Sequence, residues 1–187
     1  MQSNNFPEGL ALLWVNHKFG YKDESGRVVI EPQFDGANDF SEGLALVTIG
    51  GKSGYIDRTG KMIVGPLLFD GASKFSEGLA LVWADLKYGY IDQAGGLVIK
   101  PQFEFASHFS EGLARVNVGY VGPFAKSGKW DYINKAGQIV IDPKFDYAED
   151  FSKGRALVNI RGKRAGHGWQ VKGGENFYIE TTGKRIS

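Results

Sequence analysis

The sequence contains no cysteine, which excludes disulfides, thiolate metal sites and cysteine nucleophiles. It has no apolar run approaching the roughly 18 residues that a membrane-spanning helix needs. It also lacks a charge excess: 22 Lys and Arg stand against 21 Asp and Glu, a formal net charge of +1. That balance leaves no broad electrostatic footprint for nucleic acid or an acidic membrane surface, and nucleic acid is disfavoured as a partner. The segment Met1 to Glu8 has neither the basic start nor the apolar core of a signal peptide. A cytoplasmic location is therefore the expectation, or export if a leader has been trimmed.

Glycine and aromatic residues are abundant. The 27 glycines are about twice the average share, and Phe, Tyr and Trp make up 13% of the chain. Many glycines with many aromatics point to short strands joined by tight turns.

Much of this composition comes from one recurring stretch. Phe75-Ser76-Glu77-Gly78-Leu79-Ala80-Leu81-Val82 has near-copies at Phe6 to Leu13, Phe40 to Val47, Phe109 to Val116 and Phe151 to Val158. Its glycines, Gly9, Gly43, Gly78, Gly112 and Gly154, are 34, 35, 34 and 42 residues apart. A tyrosine follows in each copy (Tyr21, Tyr55, Tyr90, Tyr132, Tyr178), then a glycine five residues on and, in the first four, a proline six residues beyond that. Offsets held this closely mark tandem copies of one structural unit. The repeats run approximately over 6–39, 40–74, 75–108, 109–150 and 151–187, within one repeat domain spanning 1–187.

Each repeat reads as three strands. The first is Leu44-Ala45-Leu46-Val47 and its equivalents, whose alternation makes the Ala45 and Val47 side the better-buried face. The second is Tyr55-Ile56-Asp57, ended by a turn through Gly60. The third is an apolar triplet such as Val28-Val29-Ile30 or Leu97-Val98-Ile99, expected to be covered on both faces. Pro32, Pro66, Pro101 and Pro143 are expected to end it, because proline cannot donate to a ladder. The linkers from Phe34 to Phe40 and their equivalents supply phenylalanines to fill the gaps between repeats.

The pattern F-x-E-G-L-A-x-V followed by G-Y-I-D-x-x-G-K-x-V-I-x-P-x-F-D-x-A resembles the bacterial WG (or KWG) β-repeat family, from Phe6 to Ile186. The eponymous Trp-Gly falls on Phe19-Gly20, Ser53-Gly54, Tyr88-Gly89, Trp130-Asp131 and Asn176-Phe177, so the last two copies lose the glycine. The resemblance implies an all-β repeat fold and no particular reaction. The expected architecture is five tandem three-stranded antiparallel units in an open, solenoid-like array. The alternative is a five-bladed β-propeller, which would bury both sheet faces. The open array is preferred because the family tolerates varied copy number.

Residues common to all copies answer to structure, so differences between copies are where function is sought. Val47 to Tyr55 is 8 positions, but Val116 to Tyr132 is 16 and Val158 to Tyr178 is 20. The first insertion, Asn117 to Trp130, carries Tyr120 and lacks the spacing of a phosphate-binding loop. The second, Asn159 to Phe177, carries Arg161, Lys163, Arg164 and Lys172 against one acid, Glu175, with His167 and Trp169 between them. Such a loop could grip phosphate, carboxylate or single-stranded nucleic acid, or simply be a solvated hairpin. At the mouth of the first hairpin Trp14 should face Phe19, and in the third repeat Trp83 should face Tyr88. Each pair either stiffens its hairpin or offers a platform for a sugar ring or peptide side chain.

No constellation for chemistry emerges. The three histidines, His17, His108 and His167, share no repeat position and no metal-ligand spacing. Glu8, Glu42, Glu77 and Glu111 recur before glycine and are best explained by a turn or linker hydrogen bond. Asp23, Asp57 and Asp92 fit the turn after the second strand. The expectation is a non-catalytic protein- or peptide-binding module without catalytic residue, metal or cofactor. Glycan binding through exposed aromatics is the alternative. The candidate binding residues of the module are Trp14, Trp83, Tyr120, Trp130, Arg161, Lys163, Arg164, His167 and Trp169.

Overall fold

A computed structural model of the chain describes residues 6–117, 129–164 and 171–186. Among these residues it is all-β apart from one 3-10 turn, Pro7–Gly9. In the first repeat Leu10–Val15, Lys18–Asp23 and Val28–Phe34 form a three-stranded antiparallel sheet. The second repeat orders Gly36–Ala37, Leu44–Ile49, Lys52–Asp57 and Met62–Val64 as neighbours. The fourth uses Phe105–Ala106, Ala114–Asn117, Trp130–Ile133 and Ile139–Phe145 in the same way. The fifth uses Tyr147–Ala148, Arg155–Ile160, Glu175–Glu180 and Arg185–Ile186. Separate small antiparallel sheets follow one another in tandem, none closed into a barrel among the described residues, as a β-repeat protein requires.

The chain divides into two compact units, Met1–Ala84 with Ile91–Gly96, and Asp85–Tyr90 with Leu97–Ser187. The third repeat is shared between them, and its strands Gly71–Ser76 and Leu79–Ala84 pair within the first.

Three expectations are corrected. First, repeats two, four and five have four-stranded sheets, because the linker supplies a short strand alongside the next first strand. Asp35 N donates to Thr48 O at 2.8 Å and Asn38 N to Leu46 O at 2.9 Å, so the linker backbone finds its partners there. Second, proline does not end the third strand of repeats one, three and four. Val28–Phe34, Leu97–Phe103 and Ile139–Phe145 each run through it. The register of the first shifts between Phe19↔Phe34 and Tyr21↔Ile30, so Pro32 sits in a bulge of an edge strand, where no ladder donor is needed. Third, this strand is not covered on both faces. Ile30, Val64, Ile99 and Ile141 are buried, but Val28, Val29, Met62, Ile63, Leu97, Val98, Ile139 and Val140 are 38–50% exposed.

Within the first unit the core is built between successive repeats. Tyr21 and Ile30 of repeat one pack with Phe40, Ala45, Val47 and Ile56 of the next. Tyr55 and Val64 repeat that pattern with Phe75, Ala80, Val82 and Ile91. In the second unit Tyr132 and Ile141 do so with Phe151, Ala156, Val158 and Ile179. Each tyrosine lies 4.7–4.9 Å, ring to ring, from the phenylalanine that opens the next copy. Its hydroxyl donates to a linker carbonyl: Tyr21 to Asn38 at 2.7 Å, Tyr55 to Ser73 at 2.5 Å, Tyr90 to Ser107 at 2.7 Å and Tyr132 to Glu149 at 2.6 Å. The buried phenol thus has its one polar atom satisfied.

The Phe-Ser-Glu-Gly signature is an inter-repeat clasp. Ser41 Oγ donates to Phe75 O at 2.8 Å, and Glu42 accepts from Gly78 N at 2.8 Å. Glu8 accepts likewise from Gly43 N at 2.9 Å. In the second unit Ser110 Oγ donates to Phe151 O at 2.7 Å, and Glu111 accepts from Gly154 N at 2.9 Å. These glutamates have φ of 54–56°, a region few side chains adopt without cost. The carboxylate bond offsets that strain. Lys153 keeps the backbone twist in the fifth repeat, with φ 56°, and carries no carboxylate.

Candidate functional site

The first-to-second-strand hairpins are set by their turns. Asn16-His17 and Gly50-Gly51 each have both φ values positive, and so do Asp85-Leu86, as a two-residue type I′ hairpin demands. The first register is therefore Val15↔Lys18 and Trp14↔Phe19. The Trp14 and Phe19 rings meet at 4.3 Å as expected, and Trp14 remains 53% exposed. Trp83 is half-buried instead. Its indole covers Gly71 so closely that a Cβ there would stand 2.0 Å from Trp83 Cζ2.

Trp130 is corrected outright as a surface residue. It is 1% exposed, edge-on to Phe105 at 5.2 Å, with the Arg115 guanidinium 5.0 Å from its ring centroid. Its cross-strand partner is Asn117, a small side chain, and that lets the large ring fold inward. Tyr120, His167 and Trp169 lie outside the described residues, and so does the side chain of Arg164. The structure thus leaves Trp14 at one hairpin mouth and Arg161, Lys163 and Lys172 in the second insertion as exposed candidates.

That insertion forms a second, two-stranded hairpin, Lys163–Arg164 with Val171–Lys172. It grows from a built base. Asn159, 2% exposed, donates through Nδ2 to Gly173 O at 3.1 Å and to Asn176 Oδ1 at 2.6 Å. Gly162 and Gly174 pass so near that a Cβ would lie 2.3 and 2.8 Å from Asn159 Oδ1. Asn159 and Asn176 occupy the positions of Trp14 and Phe19, so an amide pair replaces an aromatic pair where the longer loop departs. An Asn-Asn pair at that register was the available sequence signal.

The recurring acids are structural. Asp23 Oδ1 accepts from Ser25 N, Ser25 Oγ and Arg27 N at 2.6–3.0 Å. Asp57 accepts equivalently from Thr59 and Lys61. The Ser25 and Thr59 hydroxyls, first among the causes, hold these carboxyls below the ordinary range. A groove bordered by Pro7, Leu12, Asn38, Asp39 and Lys74 contains the Ser41 hydroxyl, already donated to Phe75 O. No group of three or more His, Asp or Glu able to hold a metal occurs among the described residues.

Asp131 stands apart, and sequence reasoning registered only the missing glycine. In repeats one and three a Cβ at Gly20 or Gly89 would lie 2.4 Å from the carbonyl oxygen of Ile30 or Ile99, because the bulge crosses there. The fourth repeat keeps the register, Tyr132↔Ile141 with the same kind of shift, yet carries Asp131 at that place. Asp131 is fully buried, and neither carboxyl oxygen has a partner among the described residues. Burial, helped by the charge of Asp142, pushes its pKa up from 3.8 to about 6.

Repeated small antiparallel sheets, joined by tyrosine plugs and serine–glutamate clasps, define an all-β tandem-repeat protein. The chain belongs to the WG containing repeat family, which matches residues 19–52, 54–82, 88–130 and 132–163. No curated protein shows significant similarity to it. Among solved structures, that of a eukaryotic initiation factor superposes with a TM-score of 0.57 at 14% identity, over 97% of this chain and 52% of that one. The chain spans about half the length of that protein, and the likeness is one of fold. A protein of unknown function from Bacteroides caccae aligns over 97% of this chain and 77% of its own at 17% identity, with a TM-score of 0.37.

Proposed function

We propose that the chain is a non-catalytic binding and scaffold module that contacts a protein or peptide through its hairpin tips and its second insertion. The observation that carries this reading is the contrast between shared and individual residues. The shared tyrosines, phenylalanines, serines, glutamates and turn aspartates are all engaged in folding. Of the residues that differ between copies, Trp130, Asp131 and Asn159 are buried, but Trp14, Ile49 and Leu86, the last 88% exposed, and the cations Arg161, Lys163 and Lys172 stand at the surface. Half-exposed aromatics in a polar setting are typical anchors of protein interfaces.

The test is affinity capture with the intact chain and with a chain whose second insertion is shortened to the length in repeat two. Captured proteins are identified by mass spectrometry and re-tested as purified components. A purified partner that binds the intact chain and not the shortened one supports the reading, and the absence of any reconstituted partner overturns it. Glycan binding is the second reading, favoured by the open Trp14 ring. A glycan that shifts tryptophan emission of the intact chain and not of Trp14→Ala would establish it in place of the first.

A further inference from the structure

We infer that the hairpin carrying Lys163 and Lys172 receives a short acidic stretch of a protein partner, an inference resting on the binding-module reading above. In repeats one, three and four the lysine at the base of the second strand is internally paired. Lys18 bonds Asp35 at 2.5 Å, Lys87 bonds Glu104 at 2.8 Å, and Lys129 bonds Asp146. The fifth repeat keeps a pair with the signs exchanged, Glu175 bonding Arg185 at 2.5 Å. Repeat two is the exception: Lys52 stands at the same position, exposed and without an ion pair among the described residues.

The inserted hairpin differs in setting two such cations against each other. Lys163 and Lys172 are directly opposite each other in the register, and both are exposed. Like charges facing across a strand pair destabilise it. Arg161, exposed and at φ 60°, stands two residues before. None of the three has an ion-pair partner among the described residues, and the sequence from Asn159 to Gly174 contains no acid. The hairpin is nevertheless anchored by buried Asn159 at its base, so its cations are held together at a cost that a bound anion would reverse.

Carboxylates fit this arrangement better than a nucleic-acid backbone. Net charge is only +1, and a polyphosphate strand requires a longer cationic track than one hairpin provides. An extended acidic segment presents alternate carboxylates about 7 Å apart on one side. Two flexible ammonium groups whose Cβ atoms stand ~5 Å apart span that interval.

The experiment titrates blocked hexaglutamate into the intact chain by calorimetry at about 25 mM salt, where screening is weak. Saturable binding is expected, weakened about tenfold by Lys163→Ser with Lys172→Ser. Lys100→Ser with Lys184→Ser removes the same net charge elsewhere and should leave binding unchanged. Matching thermal melts of both variants verify that they fold. Absent binding, or equal loss in both variants, overturns the inference. So does tighter binding of oligo-dT than of hexaglutamate, which would make the hairpin a polyphosphate site. A reconstituted partner that still binds the Lys163 and Lys172 variant removes this inference and leaves the binding-module reading intact.

Discussion

Replacing Asp131 with asparagine should stabilise the protein at neutral pH and leave it unchanged in acid. The carboxyl is fully buried without a hydrogen-bond partner among the described residues, and its pKa rises from 3.8 to about 6. Because the folded-state value is the higher one, the folded chain binds the proton more tightly than the unfolded chain. Stability from this group is complete below about pH 4 and falls as pH climbs through about 6, the reverse of a salt-bridged aspartate. At about 1.36 kcal/mol for each pKa unit, the loss between acid and neutral pH is about 2–3 kcal/mol. Asparagine has nearly the same shape and does not ionise in this range. Urea unfolding from pH 3 to 7.5 should therefore show a gain for Asp131→Asn of about 2–3 kcal/mol at the upper end and almost none at the lower. Parallel pH profiles for the two proteins would refute the reasoning, because they would mean that Asp131 is paired or solvated.

Further outcomes follow from the packing. Gly20→Ala should cost more than about 2 kcal/mol in denaturant unfolding, because the new Cβ lies 2.4 Å from Ile30 O and overpacking against backbone cannot relax cheaply. Tyr55→Phe should cost about 1–2 kcal/mol, since it removes the hydroxyl that donates to Ser73 O. Ser41→Ala with Glu42→Gln should cost about 1–2 kcal/mol and raise amide exchange at Gly78, whose N–H the Glu42 carboxylate accepts. Trp14→Ala should leave the melting temperature within a few degrees while reducing capture of a purified partner, because the ring is 53% exposed and contacts chiefly Phe19.

The repeat signature determined much of this protein by itself. Offsets of 34 and 35 residues set the copy number, and alternation in Leu44-Ala45-Leu46-Val47 identified the buried face correctly, with Ala45 and Val47 almost completely buried. Turn chemistry set the hairpin register, so Trp14 met Phe19 where spacing put it. These features are local: they depend on side-chain period and backbone φ within a few residues. What lies on either side of a strand is decided by the neighbouring repeat and by position in the sheet. The third strand therefore looked doubly buried in the sequence and proved to be an exposed edge. Trp130 looked like a surface aromatic, but opposite the small Asn117 it turned into the core. Asp131 registered only as a missing glycine, because nothing in one sequence reveals that a bulged strand passes over that position. The facing of Lys163 and Lys172, 9 positions apart, likewise depended on how the inserted loop pairs with itself. Only the folded hairpin, through its strand register, decided that these two positive charges stand side by side.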